Sequence, residues 1–190
     1  MGWTDHRDHY QSVAREIDLS VRLTTKDAWY WRAIAWLLSV ITFGSFPSAK
    51  FLERFATTLG PVQAYPRGWA SLSEGIVVHE SRHTRQARWC GLWTHPWVGL
   101  PIMGILYLLL PLPMGLAWFR YRFELDADAA RWRHMLKSGT PPTLVKARAE
   151  DFAATVASSA YGWPWPKPWV MWGFKRKLRN VIVEYLRGEL

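Results

Sequence analysis

Two histidines and a glutamate fall within one short segment, His79-Glu80-Ser81-Arg82-His83, which has the pattern HExxH. Residues four apart lie on the same face of a helix, so two imidazoles one turn apart can bind one metal ion. Zinc is the ion typical of such a pair, and it lowers the pKa of a bound water to about 7. Glu80 could accept the proton of that water as it attacks a carbonyl group. The pattern therefore predicts a Zn²⁺ site with His79 and His83 as ligands and Glu80 as general base.

A catalytic zinc needs a third protein ligand and one open position. The candidates for that ligand are Glu124, Asp126, Asp128, His95 and His134. Glu124 and Asp128 are four residues apart in the predicted helical segment RYRFELDADAAR, so both project from one face. A carboxylate behind a ligating imidazole is a common way to fix the orientation of the ring.

The elements that position these residues follow from the apolar periodicity. The motif lies in a helix predicted from about Ser71 to Trp89, and one face of that helix carries Leu72, Ile76, His79, Glu80, His83 and Ala87. Phe55 to Tyr65, just before the helix, predicts a β-hairpin around the turn Leu59-Gly60-Pro61.

Further helices are predicted at about residues 5–19, 25–42, 113–137, 140–159 and 172–187. Ser138-Gly139 would end the third of these, and Thr140 would cap the fourth, with Pro141 in its first turn. We therefore predict an α+β fold, mostly α-helical, in a single domain over residues 1–190. Its core would cover about residues 50–160, after N-terminal helices in residues 1–45. Residues 161–190 would form a Pro/Trp-rich linker and a basic C-terminal helix.

Taken together, the HExxH helix and the later Glu-x-x-x-Asp spacing resemble the gluzincin class of zinc metallopeptidases. Gln86 extends the motif to HExxHxxQ, which is similar to small predicted peptidases of bacteria and their phages. The resemblance implies a zincin-like fold, with Glu124 as third ligand and Asp128 supporting His79. It also implies that the hairpin strand receives an extended substrate. The histidine or tyrosine that stabilises the transition state in this class has no clear counterpart, and Tyr161 and His134 are the candidates.

The composition of the chain indicates which classes of partner it could bind. The chain has 190 residues, a formal charge of +9 and 14 Trp. The Trp content favours contacts beyond the chain's own core, through protein partners in a homo- or hetero-oligomeric assembly. A basic surface favours acidic partners, nucleic acid or anionic lipid. No segment interleaves basic and aromatic residues in a known RNA-binding pattern, which makes nucleic acid the weaker option.

For the two uncharged stretches, Ala33–Ala49 and Trp97–Trp118, a buried or partner-facing position is the favoured prediction, and membrane insertion or interfacial docking is the less favoured one. Pro101, Pro111 and Pro113 divide the second stretch, leaving a short helix from Ile102 to Leu110 and then a Pro-Leu-Pro turn. With one cysteine and a polar N-terminus that does not resemble a signal peptide, the expected location is the cytoplasm or a virion.

Three functions are consistent with these features. The first is a zinc metallopeptidase that hydrolyses peptide bonds of a protein or peptide substrate. The second is a structural zinc-binding component of a larger assembly, such as a phage head–tail protein, with a vestigial HExxH site. The third is a membrane-associated peptidase.

Overall fold

The computed structural model describes residues 2–41, 47–109, 118–158 and 165–190. Within these ranges the helices are α1 (Arg7–Ile17), α2 (Trp29–Ile41), α3 (Ser48–Arg54), α4 (Glu74–Cys90), α5 (Pro96–Leu109), α6 (Trp118–Lys137), α7 (Pro142–Val156) and α8 (Lys167–Leu186). The strands are β1 (Arg22–Thr25), β2 (Thr57–Leu59) and β3 (Val62–Tyr65). The predicted fold class, α+β and mostly helical, is confirmed.

Residue contacts divide the chain into two compact units, Met1–Arg85 and Gln86–Leu190, with the boundary inside helix α4. The first unit contains the sheet, and the second contains helices α5 to α8. The organisation as a single domain stays a prediction.

The sheet of the first unit has the strand order β1-β3-β2. Strands β2 and β3 are antiparallel, and Leu59 pairs with Val62 across a two-residue turn. Gly60 in this turn has a φ of 56°, a left-handed conformation that glycine adopts without strain. The predicted hairpin is therefore confirmed. Strand β1 was not predicted, and it pairs with β3 in parallel.

Helix α1 is attached to strand β1 by side-chain hydrogen bonds to the backbone. Gln11 Nε2 donates to the Val21 carbonyl at 2.7 Å, and the Leu23 N–H donates to Gln11 Oε1 at 3.0 Å. A small core of Trp31, Ala35, Phe51 and Ala64 joins helices α2 and α3 to the sheet. These contacts fix the sheet that carries the hairpin.

Lys26 is a buried cation at the end of strand β1. Its Nζ donates to the Phe51 carbonyl at 2.9 Å and to Thr57 Oγ1 at 2.7 Å, and it lies 3.7 Å from the centre of the Phe51 ring. Burial lowers the pKa of Lys26 to about 7, against the opposite influence of the Glu80 carboxylate. The folded chain therefore binds this proton more weakly than the unfolded chain does.

The free energy of unfolding of the metal-free protein is expected to rise with pH between about 7 and 10. In that window the unfolded Lys26, with its usual pKa of about 10.4, binds more proton than the folded one. Burial raises the pKa of Tyr65, so the trend reverses above about pH 10. Urea unfolding should show a rise of about 1–3 kcal/mol. Lys26→Met is the control, and an equal rise in that variant would contradict the assignment.

Helices α6, α7 and α8 form the main core of the second unit. Their buried side chains include Trp132, Leu136, Val145, Ala149, Val170, Phe174 and Leu178. Helix α6 ends as predicted, because Gly139 has a φ of 81° and the Thr140 N–H donates to the Met135 carbonyl at 2.9 Å. This end fixes the length of the helix that carries Glu124.

The predicted break at Pro101 is wrong, because helix α5 begins at Pro96 and includes Pro101. A Cβ on Gly99 would lie 1.7 Å from the Ala87 carbonyl oxygen, so α5 packs backbone to backbone on the end of α4. Met103 adds to this contact in a buried cluster with Ala87, Cys90 and Phe123. We attribute the unbroken helix to this packing. It stabilises α5 by more than the loss of the one backbone hydrogen bond that Pro101 cannot donate. The Pro-Leu-Pro turn lies outside the described residues.

The helix predicted from residue 25 begins at Trp29, because Thr25 lies in strand β1, and helix α3 was not predicted. Two helix starts at prolines also differ from the prediction. Pro141, and not Thr140, is the N-cap of α7, and Pro142 occupies a first-turn position where the missing N–H costs nothing. Helix α8 begins at Lys167, five residues earlier than predicted, because Pro168 is also compatible with a first turn. The start predicted for α6, at Pro113, lies outside the described residues. Residues 161–164 of the predicted linker also lie outside them.

Many of the described tryptophans are exposed to solvent. Eight described ones are exposed, and these are Trp29, Trp36, Trp89, Trp93, Trp97, Trp118, Trp169 and Trp172. Among the described ranges, no helix combines the length and the apolar character that crossing a bilayer requires.

Candidate metal centre

Helix α4 presents the two motif histidines on one buried face. The His79 and His83 Nε2 atoms are 3.2 Å apart, and the two rings are nearly perpendicular, with centres 4.9 Å apart. Two nitrogen ligands about 2.0–2.1 Å from a tetrahedral zinc stand roughly 3.3 Å from each other. The spacing of the two imidazoles therefore fits a zinc ion.

Glu124 supplies the third potential ligand. One ligand atom each from His79, His83 and Glu124 lies within 4.8 Å of the others, and all three residues are buried. Two imidazole nitrogens and one carboxylate oxygen form a donor set typical of catalytic zinc. This buried group could hold a metal ion. Of the five candidates for the third ligand, Glu124 is the one that this group contains.

Glu80 is half-buried beside His79 and is held by the hairpin. Thr58 Oγ1 in strand β2 donates to Glu80 Oε2 at 2.6 Å and to the Glu80 backbone carbonyl at 3.2 Å. The carboxylate therefore has a fixed orientation and keeps a second oxygen for other partners. Thr58 was not singled out from the sequence, although the predicted hairpin contains it.

A buried chain of hydrogen bonds holds helix α4 over strand β3. The Tyr65 hydroxyl donates to Gln63 Oε1 at 2.8 Å, and Gln63 Nε2 donates to Ser81 Oγ at 2.9 Å. Ser81 Oγ donates in turn to the Val77 carbonyl at 2.7 Å. Ser81 occupies one of the variable positions of the motif, so the helix is anchored between its two histidines. Burial is the main cause that raises the pKa of Tyr65, and the Glu80 carboxylate adds to it.

Gln86, the glutamine of HExxHxxQ, anchors the end of α4 to helix α6. Its Nε2 donates to the Phe123 carbonyl at 3.0 Å and to Asp126 Oδ2 at 2.9 Å. Phe123 is the residue before Glu124, so this contact fixes the backbone next to the potential carboxylate ligand. It also gives Asp126 a structural role, because Asp126 is not in the group of three potential ligands.

The remaining predicted site residues have different positions. Asp128 is buried on α6, and its Oδ1 lies 3.5 Å from Arg131 Nη1. His134 lies ten residues after Glu124 on α6, about 15 Å away by helical rise, and its Nε2 is 3.5 Å from Ser138 Oγ. The structure therefore does not bring His134 to Glu124. His95 is exposed in the loop before α5, and Tyr161 lies outside the described residues.

Tyr107 of helix α5 is a site residue that the sequence analysis missed. Its hydroxyl donates a short hydrogen bond to Glu124 Oε1. Arg120 holds it there, since Arg120 Nε donates to the Tyr107 carbonyl at 3.0 Å and the guanidinium lies 5.0 Å from the ring centre. Tyr107 is the one hydroxyl in the uncharged stretch Trp97–Trp118, and a lone polar group on an apolar helix indicates a buried partner.

Tyr107→Phe is expected to weaken zinc binding about tenfold, because partners that orient a ligand typically contribute 10–100-fold to metal affinity. The measurement is a competition titration with a chelating dye. Tyr30→Phe, a half-exposed tyrosine on α2, is the matched control. An unchanged affinity in Tyr107→Phe would show that Glu124 is oriented by other contacts.

Comparison with known proteins found no matching family model, no matching curated protein and no matching solved structure.

Proposed function

We propose that this protein is a zinc-dependent metallopeptidase with a zincin-like fold. In this proposal His79, His83 and Glu124 hold the ion, and Glu80 is the general base. The observation that carries it is the buried group of two imidazoles and one carboxylate, with Glu80 next to His79 in the motif. The order of elements supports it as well, because an antiparallel hairpin precedes the HExxH helix and the third ligand comes from a later helix.

The chain's own groups would divide the chemistry as follows. When bound in such a donor set, zinc supplies a lowered water pKa and a polarised carbonyl group. Glu80 accepts the proton of the attacking water and passes it to the departing amine nitrogen. Thr58 orients the Glu80 carboxylate through its 2.6 Å hydrogen bond. Asp128 is proposed to support His79, as the resemblance to gluzincins implies.

The substrate is proposed to be an extended peptide. In the sheet order β1-β3-β2, strand β2 has one pairing side that faces no other described strand. An extended peptide can pair with the backbone of such an edge. Thr58 contacts Glu80 from this strand, so a peptide lying along β2 would pass beside the general base.

The experiment that tests the proposal is hydrolysis of a mixed peptide library by the zinc-loaded protein, with mass spectrometry of the products. Cleavage that a chelator abolishes and zinc restores is expected. A protein that holds zinc and cleaves no peptide would contradict the peptidase.

A second candidate is a structural zinc-binding component of a larger assembly, such as a virion. The exposed tryptophans of α2 and α8 favour it, namely Trp29 and Trp36 on one helix and Trp169 and Trp172 on the other. In that function the metal group stabilises the fold, and Glu80 has no chemical role.

A further inference from the structure

A group of exposed apolar side chains surrounds the start of helix α5. We name it the α5 patch, and it consists of Trp89, Leu92, Trp93, Trp97, Val98, Ile102 and Ile105. All seven lie in the second unit, and their exposed fractions range from 48% for Trp97 to 87% for Leu92. An apolar surface of this density is uncommon on a protein that has nothing to bind.

Two residues of this surface, in the loop before α5, have a strained backbone conformation. Leu92 and Trp93 have φ values of 54° and 63°, in the left-handed region where residues other than glycine and asparagine are strained. The Trp93 N–H donates to the Arg88 carbonyl at 2.8 Å, and Arg88 Nη1 donates to the Thr94 carbonyl at 3.0 Å. These bonds hold the turn in a shape that directs two large apolar side chains to the outside.

The charged residues in the sequence around the patch are all basic. From Ser81 to Phe123 the sequence contains no Asp or Glu, whereas it contains Arg82, Arg85, Arg88, Arg120 and Arg122. An arginine and a tryptophan flank the patch on each side in the sequence. Arg88 precedes Trp89 at one end, and at the other the Arg122 guanidinium lies 5.5 Å from the centre of the Trp118 ring. Tryptophan and arginine are the residues that favour the headgroup level of a bilayer.

We infer that the α5 patch docks on an anionic lipid surface, with helix α5 lying in the plane of the interface. Helix α5 has 14 described residues, fewer than a helix needs to span a bilayer and enough to lie within its surface. Its exposed aliphatic residues Val98, Ile102 and Ile105 enter the acyl region, and the flanking arginines pair with lipid phosphates. The inference does not depend on the proposed peptidase activity.

Two alternative occupants fit the charge less well. A second copy of the chain in a symmetric dimer would place this basic segment, whose charged residues from Ser81 to Phe123 are all arginines, against itself. A protein partner would have to provide both an apolar surface and all the negative charge. An anionic bilayer provides the two together.

Vesicle sedimentation tests the inference with the full chain. Binding to phosphatidylcholine vesicles that contain phosphatidylserine is expected, with weaker binding to pure phosphatidylcholine and at high salt. Ile102→Asp/Ile105→Asp should weaken binding at least about tenfold, because two apolar side chains no longer enter the lipid. Leu144→Asp/Leu186→Asp is the matched control, with two exposed leucines elsewhere in the second unit.

Three results would overturn the inference. They are no sedimentation with anionic vesicles, equal binding by the patch variant and the wild type, and equal binding to neutral vesicles. Light scattering provides a fourth test, since an oligomer that Ile102→Asp/Ile105→Asp converts to a monomer would show that another copy covers the patch. If circular dichroism shows that this variant is unfolded, Trp97→Ser/Val98→Ser takes its place in every comparison.

Discussion

His83→Ala is expected to reduce zinc affinity by about 100- to 1,000-fold. Structural zinc sites bind with about 10–16 kcal/mol, so one of four ligands accounts for roughly a quarter of that free energy. The wild-type protein should hold about one zinc per chain, and the variant should lose it on dialysis. The measurement is elemental analysis after dialysis, followed by a competition titration for the affinity.

His95→Ala is the matched control for this substitution. His95 is an exposed histidine in the loop before α5, so its removal should leave the zinc content unchanged. Zinc should also raise the unfolding free energy of the wild type by about 2.7 kcal/mol at a hundredfold excess over Kd, and should not do so in His83→Ala. A His83→Ala protein that is folded and keeps its zinc would rule out the proposed ligand set.

The sequence predicted those parts of the fold that depend on local patterns. Helix α4, the hairpin with Gly60 in its turn and the end of α6 at Gly139 all follow from periodicity and turn chemistry over a few residues. Strand β1 did not follow, because its four residues carry a weak pattern and its partner β3 lies about forty residues later. Parallel pairing of that kind depends on tertiary contacts that no short window contains.

Proline was the main source of wrong boundaries. Pro101 was expected to break a helix, and the packing of Gly99 on the Ala87 carbonyl maintains it instead. Pro141 was expected in a first turn and is the N-cap of α7, and Pro168 was expected in a linker and lies in the first turn of α8. A proline inside a helix removes one backbone hydrogen bond, whereas a proline in the first turn removes none, because that N–H has no partner within the helix. The position of the helix start therefore decides whether a proline destabilises the helix.

At the site, the spacing of the motif was enough to predict that His79 and His83 would lie together. The choice of Glu124 among the acidic residues came from the resemblance alone, because spacing within α6 cannot say where that helix lies. Tyr107 was missed for the same reason, since its partner Glu124 is on another helix. The spacing within the motif therefore identified two potential ligands, and the third depends on contacts between residues distant in the sequence.

Glu80→Gln is expected to lower peptide hydrolysis by about 100- to 10,000-fold and to leave zinc binding nearly unchanged. An amide cannot accept the proton of the attacking water, but its oxygen can still accept the hydrogen bond from Thr58. The substitution should therefore lower kcat and leave the fold and the zinc content unchanged. The measurement is kcat and KM on a cleaved library peptide, with zinc content determined on the same preparation.

Glu74→Gln makes the same chemical change on the same helix and provides the control. Glu74 lies in the first turn of α4, where its carboxylate accepts a 2.8 Å hydrogen bond from His9 Nε2. Equal losses in the two variants would indicate damage to α4 and would remove the argument for a general base. If hydrolysis is unaffected by Glu80→Gln, the mechanism is wrong. If the wild type binds zinc without hydrolysis and Glu80→Gln changes neither zinc content nor assembly, the structural function is favoured, because a structural zinc site requires no chemistry at Glu80.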